Sequence, residues 1–326
     1  MKDFCIVGSG IAGSNIAKLL SRKYSVEIFD KAKGAGGRAS NRKYKNDLSF
    51  DHGLQYLSPK STIFKKFILD LKKKKILKEW TGYHLDFTFK KKENFKKYIG
   101  RRGNNDICKY LIKNIKVNYN STVTNIEFIS NHWIVTLNNK NQVFFKHLIL
   151  TCPFPQTKEL ASKYLKKEIS KLKVYMSPNI TVMAVYKDCK ELPINSIKFN
   201  DKMISWASQE NSKNRFKTNK ILWTIQCSEI FSEKIINLFK KNKNKYQSLV
   251  LKRFESLMGY RTKKIIFKNI HGWKYSRNKS TTTLKSVWSK KYKLGICADW
   301  LRGPNGEDAW LSAKSLFEDI KKTRLS

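Results

Sequence analysis

Residues 4–13, Phe-Cys-Ile-Val-Gly-Ser-Gly-Ile-Ala-Gly, join a short apolar run to a glycine-rich turn. Apolar residues at helical spacing follow from Ile11 to Leu20, and a second apolar run ends at Asp30. This order predicts a strand, a helix and a second strand. The Gly-x-Gly-x-x-Gly spacing permits a tight turn and lets the backbone approach a pyrophosphate at the helix N-terminus. The stretch therefore predicts a Rossmann-like dinucleotide site.

Asp30 stands where such sites hold a ribose. It follows Gly13 by 17 positions, near the ~20 expected of the acidic residue that accepts the ribose hydroxyls. A carboxylate at this place repels a 2′-phosphate, which argues against NADP as the ligand of this site. The alternative is a solvated carboxylate that only ends the strand.

The composition is that of a folded, strongly basic chain. Of its 326 residues, 40% are hydrophobic, so it can bury a core despite a net charge of +42. The length predicts about two domains. No run approaches the roughly 18 apolar residues of a membrane-spanning helix, and residues 1–13 hold too short an apolar run for a signal peptide. We therefore expect a soluble, cytoplasmic protein with no membrane partner.

The six cysteines are scattered along the chain without a C-x-x-C pair, so the sequence predicts neither a metal site nor a disulfide scaffold.

The lysine excess permits two interpretations. A basic chain of this kind fits a nucleic-acid-binding protein. Only 11 of the 67 basic residues are arginine, however, and the lysine-rich runs at 72–75, 90–92 and 240–245 are dispersed. Lysine, asparagine and isoleucine all have A/T-rich codons, so mutational bias accounts for a lysine-coated surface. We expect no nucleic-acid partner, and some attraction of anionic ligands.

Further along, apolar periodicity predicts an alternation of helices and strands. Expected helices cover 61–80, 106–114, 230–241, 246–258 and 308–321; expected strands cover 81–99 (an antiparallel pair), 117–119, 122–129, 132–138, 142–150, 179–187, 220–227 and 294–298; and 33–51 is expected to be an extended loop.

The segment after the second strand narrows the choice of dinucleotide. Lys31-Ala-Lys-Gly-Ala-Gly-Gly37-Arg38-Ala-Ser40 resembles the second fingerprint of the FAD-dependent amine oxidase and phytoene desaturase superfamily. Paired glycines let the backbone close over a pyrophosphate, and Arg38 adds a fixed positive fork. A flexible loop with a surface arginine is the alternative. The resemblance implies FAD, and no cysteine lies in a motif for covalent attachment, so we expect noncovalent FAD.

Within that superfamily the chain resembles the renalase-like flavoproteins over nearly its whole length, although 159–265 adds little. The resemblance rests on the motifs at 50–58 (FDHGLQYLS), 148–155 (LILTCPFP), 271–276 (HGWKYS), 294–299 (LGICAD) and 309–312 (AWLS). It implies a renalase-like α/β fold of amine oxidase/p-hydroxybenzoate hydroxylase-like architecture. A Rossmann-like FAD-binding domain would comprise 1–60, 100–158 and 288–326, and a mixed α+β substrate domain 61–99 and 159–287.

Three positions depart from the family pattern, where Ala298, Asp308 and Ala313 replace glycines. The last helix of such folds points its N-terminus at the flavin, whose reduced, anionic form it stabilises. A carboxylate at Asp308 would oppose that effect if it faced the ring. The alternative is a solvent-facing helix cap, which is commoner for Asp at a helix start.

The resemblance and the glycine motif together give the candidate site residues. The cofactor set is Gly8, Gly10, Ile11, Ala12, Gly13, Asp30, Lys31, Gly37, Arg38, His52, Gly53, Val123, Asp299, Ala309, Trp310 and Ser312. The candidate catalytic or substrate-wall residues are Gln55, Tyr56 and Trp273, with His271 and Tyr275 beside them. For Trp273 a buried packing role is the alternative.

The resemblance implies an FAD-dependent oxidoreductase that oxidises dihydro isomers of NAD(P)H to NAD(P)+, with oxygen as acceptor. The expected partner is thus a small molecule, an anionic dinucleotide, which suits a basic cleft. A flavin amine oxidase or desaturase-like enzyme acting on another small substrate stays open. So does a lysine-rich nucleic-acid-binding protein with a vestigial Rossmann core. The sequence leaves the oligomeric state open.

Overall fold

The computed structural model describes residues 1–45, 48–86, 88, 96–187, 191–260, 264–280 and 282–323. Its strands are β1 (Lys2–Val7), β2 (Val26–Phe29), β3 (Asn41–Lys43), β4 (Ser49–Asp51), β5 (Leu77–Glu79), β6 (His84–Leu85), β7 (Tyr98–Gly100), β8 (Lys116–Asn118), β9 (Val123–Ile129), β10 (His132–Leu137), β11 (Gln142–Leu150), β12 (Met176–Lys187), β13 (Ser196–Lys198), β14 (Ile204–Gln209), β15 (Ile221–Cys227), β16 (Lys264–Asn278), β17 (Val287–Ser289) and β18 (Leu294–Ile296). Its α-helices are α1 (Ile11–Leu20), α2 (Thr62–Lys73), α3 (Asp106–Leu111), α4 (Phe154–Ala161), α5 (Lys166–Ile169), α6 (Glu229–Ile235), α7 (Lys243–Met258) and α8 (Gly306–Lys322).

The first sheet is built from distant parts of the chain. Its order is β17-β18-β11-β1-β2-β8, with β9 and β10 added to β11 as an antiparallel meander. The strands from β8 to β18 in this order run parallel, and β17 is antiparallel to β18. Because the chain leaves β1 for β2 on one side and β11 flanks β1 on the other, a topological switch point lies at the carboxyl ends of β1 and β11. Ligands of open α/β sheets bind at such points.

A second sheet, of order β16-β12-β15-β14-β13-β6, is antiparallel except at the β13–β6 pair. Helices α6 and α7 cover one face, where Trp223 and Phe254 lie fully buried in a separate apolar core. The molecule therefore has a Rossmann-like unit and a mixed α+β unit, which are the two architectures expected from the sequence.

The cores shift two of the expected boundaries. Helix α2 packs its buried residues Phe64, Ile68 and Leu71 into the core of the first sheet rather than the second. Leu165 and Ile169 follow residue 158, where the FAD-binding domain was expected to end. They likewise pack into the core of the first sheet. Helix α2 and the segment with Leu165 and Ile169 thus pack with the Rossmann-like unit, because their apolar side chains face its sheet and not the second one.

Helix α8 ties the Rossmann-like unit together near the end of the described chain. It packs against α1, and a Cβ on Gly306 would lie 3.0 Å from the Ile11 side chain. The buried Glu307 carboxylate accepts hydrogen bonds from the backbone N–H groups of Lys60 and Ser61, at 2.7 and 2.8 Å. A carboxylate at these otherwise unpaired donors stabilises the start of α2.

Most expected elements are present with shifted ends. The helix expected over 230–241 ends at Ile235, and the loop expected over 33–51 contains the short hairpin β3–β4. The strand pair expected over 81–99 falls partly outside the described residues. Strand β16, which carries His271 and Trp273 over its 15 residues, was not among the expected strands. Within the described ranges no helix is long and apolar enough to cross a bilayer.

Candidate functional site

The turn between β1 and α1 uses its three glycines for different purposes. Gly8 has φ +105°, which strongly favours glycine. A Cβ on Gly13 would lie 1.9 Å from the Gly8 carbonyl oxygen, so this position admits only glycine if the turn is to close. Both residues serve the packing of the turn itself.

Gly10 is different, because the protein itself does not require a glycine there. Its φ is −73°. An added Cβ would meet only the second glycine loop, residues 34–38, at 3.9 Å from Gly36 and 4.0 Å from Gly37. These are ordinary van der Waals distances. No side chain caps α1 at Gly10. The bare backbone thus leaves open space at the helix N-terminus, where an anion is stabilised by the unpaired N–H groups.

Asp30 is not a solvated strand end. It is buried, and its Oδ2 accepts from the Ser9 backbone N–H and hydroxyl at 2.7 and 2.6 Å. Its Oδ1 accepts from the Ala32 N–H at 2.8 Å. A carboxylate accepts about four hydrogen bonds, so capacity for about one more donor stays on Oδ1. Asp30 therefore fixes the glycine turn and can still accept a ligand hydroxyl.

The segment before β9 lies beside Asp30. The backbone N–H of Ser121 donates to the Asp30 carbonyl at 2.9 Å, and that of Asn120 to the Ala32 carbonyl at 3.0 Å. Val123, at the start of β9, is half-buried close to this contact, whereas Lys31 is exposed.

Arg38 and Asp299, both expected to hold the cofactor, form an ion pair with each other. Two guanidinium nitrogens donate to the two carboxylate oxygens at 2.8 and 2.5 Å, and one also donates to the Ser276 carbonyl. Among the described residues no protein acceptor takes the Nε–H and one N–H of the second terminal nitrogen. These donors are available to a phosphate oxygen.

Helix α8 places its expected site residues mainly in packing roles. Asp308 forms a capping box with Asn305, accepting from its backbone N–H at 3.0 Å, so the alternative of a helix cap is confirmed. The Trp310 ring packs against Phe67 at 4.9 Å between centroids. Ser312 accepts from the Ala298 N–H and donates to the Lys285 carbonyl, and Ala309 is buried.

His52, His271 and Trp273 form an aromatic cluster at the junction of the two units. The His52 ring stacks on Trp273 at 5.1 Å and meets His271 edge-on at 4.8 Å. The Trp273 Nε1–H donates to the His52 carbonyl at 2.8 Å. A Cβ on Gly53 would lie 2.1 Å from the Arg38 carbonyl oxygen, so this segment also touches the second glycine loop directly. The geometry brings four expected site residues together here: His52, Gly53, Arg38 and Trp273.

The two histidines of this cluster are neutral at physiological pH. Burial, with the neighbouring His271 and Arg42, lowers the pKa of His52 to about 3. Burial, with Arg42 and Lys240, lowers the pKa of His271 to about 4. His52 Nδ1 is buried without a hydrogen-bond partner among the described residues.

Burial also raises the pKa of Cys152 to about 12, so this thiol is not a nucleophile.

Gln55 has its hydrogen-bonding groups fully engaged within the protein. Its Nε2 donates to the carbonyls of Asp51 and Gly53, and its Oε1 accepts from Ser208 Oγ at 3.2 Å and Lys213 Nζ at 3.3 Å. Four hydrogen bonds are the capacity of a side-chain amide. The contacts of Gln55 therefore hold segment 51–55 in shape and leave none of its amide groups for a ligand.

Tyr56 lies beside a second aromatic group. Its ring centroid is 6.2 Å from that of Trp80, which meets His84 edge-on at 4.6 Å. The Trp80 Nε1–H donates to Ser212 Oγ at 3.1 Å. Burial raises the pKa of Tyr56, against the nearby Arg277, so the phenol stays protonated.

A buried charge cluster, which the sequence did not reveal, lies behind Gln55. The Lys213 cluster consists of Asp51, Glu210, Lys213 and Arg215, whose side chains are at most 2% exposed. Lys213 Nζ lies 2.9 Å from both carboxylates, and Arg215 lies 2.5 Å from Asp51. Burial alone would raise the pKa of Asp51, but Arg215 and Lys213 hold it well below its usual range. Burial and the Asp51 charge raise the pKa of Glu210, against Lys213.

The described residues contain no group of three or more His, Cys, Asp or Glu side chains that could hold a metal ion.

Comparison with known proteins agrees with this architecture. Residues 6–70 match the family model of an NAD(P)-binding Rossmann-like domain. The chain is 28% identical to renalase of Mus musculus over 171 residues, which are 49% of each protein, so the match spans about half of that relative's length. The resemblance to renalase indicated by the motifs is therefore confirmed.

Two solved structures cover 99% of this chain and 99% of their own. One is a putative protoporphyrinogen oxidase from Exiguobacterium sp. 255-15, with a TM-score of 0.77 and 11% identity. The other is a triple mutant of putrescine oxidase, with a TM-score of 0.73 and 10% identity. The predicted fold class is thus confirmed.

Proposed function

We propose that the protein is an FAD-dependent oxidoreductase that oxidises dihydro isomers of NAD(P)H to NAD(P)+, with oxygen as electron acceptor. The observation that carries the cofactor assignment is Gly10. No contact within the protein requires a glycine at this position. The absence of a side chain nevertheless leaves the N-terminus of α1 accessible at the switch point of the sheet. Renalase similarity and the oxidase folds favour FAD as the occupant.

The residues present fit FAD. The backbone N–H groups at the start of α1 would bind the pyrophosphate, with the two remaining Arg38 donors beside them. The remaining acceptor capacity of Asp30 would take a ribose hydroxyl. The aromatic cluster of His52, His271 and Trp273 would border the flavin end. FAD supplies a two-electron acceptor for a hydride.

The protein's share of the reaction is to bind and orient the substrate. Loss of hydride from a dihydronicotinamide gives the aromatic nicotinamide cation and requires no acid or base. Neutral His52 and His271 and the protonated Tyr56 phenol suit such a wall, because none of them has to exchange a proton. Oxygen would then take the electrons and two protons to form hydrogen peroxide.

Charge at the junction favours an anionic substrate. Arg42 lies near both histidines and Arg277 near Tyr56, and neither arginine has an ion-pair partner among the described residues. The carboxylates of Asp51 and Glu210 are neutralised within the Lys213 cluster. A cationic amine would need a free carboxylate or an aromatic cage. The charges at the junction therefore favour a dinucleotide substrate over an amine substrate. The amine is the second candidate, suggested by the putrescine oxidase fold.

The cofactor is tested by denaturing the purified protein and identifying what it releases. We expect about one FAD per chain and none from Arg38→Ala under dilute conditions, because one lost charge-assisted contact weakens binding by about 10- to 150-fold. Release of NAD without FAD would overturn the assignment. A colourless protein that binds DNA at physiological salt would instead support the nucleic-acid-binding alternative.

The substrate is tested by anaerobic stopped-flow measurement of flavin reduction. We expect the 2- and 6-dihydro isomers of NAD(P)H to reduce the flavin fastest, ordinary NADH much more slowly, and biogenic amines not at all. Admitting oxygen should restore the oxidised spectrum and release hydrogen peroxide. Reduction by an amine or a carotenoid precursor, with no response to the dihydro isomers, would move the protein to the amine oxidase or desaturase class.

A further inference from the structure

Lys213 is a fully buried lysine outside the cofactor motifs. Its ammonium lies 2.9 Å from Asp51 Oδ2, 2.9 Å from Glu210 Oε2 and 3.3 Å from Gln55 Oε1. It also lies 5.3 Å from the centroid of the Trp80 ring, which is within range of a cation–π contact. Lysine is almost never fully buried unless it is paired. Every one of these four partners is itself buried.

These contacts join separate parts of the chain. Asp51 ends β4, beside the second glycine loop, whereas Glu210 and Lys213 lie in a 3₁₀ turn after β14 of the second sheet. Thr224 of β15 donates to Glu210 Oε1 at 2.6 Å, which anchors the turn to that sheet. Lys213 therefore links Asp51 and Gln55 to the second sheet.

Both aromatic and amide parts of the candidate wall depend on this turn. Gln55 folds segment 51–55 by donating to two of its carbonyls, and Lys213 supplies one of the two donors that hold the other end of the amide. Trp80, whose ring lies beside Tyr56, is held by Ser212 and faces the Lys213 ammonium. Two neighbouring residues of one turn thus set the orientation of Gln55 and of the Trp80–Tyr56 pair.

We propose that Lys213 is a positioning residue that fixes Gln55 and Tyr56 in the wall facing the substrate. This inference rests on the proposed function in so far as Tyr56 borders the substrate. A buried ion pair is often no more stabilising than apolar side chains of the same volume, so stability alone does not account for a lysine here. A lysine at this position is explained by its geometry, because one ammonium contacts four buried groups at once.

The test separates positioning from simple stability with a charge-balanced variant. Lys213→Met alone leaves Glu210 without its cation, whereas Lys213→Met with Glu210→Gln removes one charge of each sign and keeps an oxygen for Thr224. We expect the double variant to retain FAD and to unfold close to the wild type. Lys252→Met, at an exposed position in α7, is the matched control for loss of a lysine.

Two measurements on the holoenzyme report on the wall. Hydrogen exchange followed by mass spectrometry should show faster exchange in 51–57 and at Trp80 in the double variant, with the rest of the described chain unchanged. Titration of NAD+, followed by the flavin absorption band, should give a dissociation constant raised roughly tenfold, the factor of one lost hydrogen bond at the wall. The turnover number should fall less than the affinity.

Three outcomes for the double variant would overturn the proposal: exchange in 51–57 equal to that of the wild type, faster exchange spread evenly over the chain, or the same NAD+ affinity as a wild type that binds NAD+. If the wild type binds neither FAD nor NAD+, the proposed function fails, and the exchange pattern still decides the positioning role. If the double variant does not fold, Gln55→Leu decides instead. It keeps all four charges and should give the same local exchange; wild-type exchange there would reject the proposal.

Discussion

The glycine turn at 8–13 and the Lys213 cluster are built in opposite ways. The turn lies within a few residues of sequence, carries no side-chain charge and offers backbone N–H groups to a ligand. The cluster draws four charges from residues up to 164 positions apart and pairs them with one another. Free donors thus mark a place for a ligand, while a closed network of charges marks a place that holds other residues still.

The largest effect is expected in the cluster. Asp51→Asn removes a carboxylate that two buried cations share, so the free energy of unfolding should fall by about 3–5 kcal/mol. Asp70→Asn, which breaks an exposed pair with Lys74 on α2, should cost no more than about 0.5 kcal/mol. Chemical denaturation of the two variants measures both changes. Equal small losses would mean that the cluster is not closed as described.

The glycine turn should respond to substitution by position. Gly13→Ala places a Cβ against the Gly8 carbonyl and should lower the free energy of unfolding by about 1–3 kcal/mol or more. Gly10→Val should change the stability of the apoprotein by no more than about 1 kcal/mol, because an added Cβ would lie at ordinary contact distance, 3.9 Å from Gly36 and 4.0 Å from Gly37. It should nevertheless abolish FAD binding, measured by flavin absorbance after gel filtration. Retention of FAD by Gly10→Val would show that the pyrophosphate does not bind at this turn.

The aromatic cluster should make stability depend on pH. The pKa values of His52 and His271 are lowered to about 3 and about 4, so between about pH 4 and pH 6.5 the unfolded chain binds protons that the folded chain does not. Stability contributed by these histidines is present above about pH 6.5 and is lost as the pH falls, at about 1.4 kcal/mol per pH unit for each histidine. His52→Gln should flatten the slope by that amount. His132→Gln, on β10, is the control, and a wild-type slope in both variants would contradict the burial argument.

The smallest effect concerns the lysine surface. If the charge is compositional, binding to duplex DNA should be weak, independent of sequence and abolished by physiological salt. Fluorescence anisotropy with two unrelated duplexes over a salt series measures this. Nanomolar, sequence-selective binding at that salt would show that part of the surface, like the glycine turn, is a ligand site.

The sequence was sufficient where the physical constraint is local. The turn at 8–13, Asp30 and the Gly37–Arg38 loop follow from residue type and spacing, because a tight turn and a helix N-terminus are made by neighbours in the chain. The end of the helix expected over 230–241 was wrong, since a lysine-rich tail continues the polar pattern past Ile235. Such a pattern does not distinguish a solvated helix from solvated turns.

The partners of Gln55 could not be predicted in the same way. Glu210, Lys213 and Arg215 lie in a polar stretch whose composition is that of a surface loop, and only the pairing of β14 with β15 buries it. Gln55 was singled out because an apolar face would not need an amide, and the structure explains the need differently, through four partners inside the protein. Partners that far apart in sequence leave no periodic signal.

The closing role of α8 and β18 has a consequence for how the chain is made. Val7 of β1 pairs with Leu150 of β11, and Leu150 pairs with Ile296 of β18, so each of these two pairings joins residues over 140 positions apart. Pairings of such high contact order form slowly. While the ribosome is still adding residues beyond β11, the apolar side of α1 that α8 will cover and the edge of β11 that β18 will pair stay open to other chains. Synthesis of this protein therefore exposes the nascent Rossmann-like unit to aggregation until α8 emerges, and chaperone demand should peak in that interval.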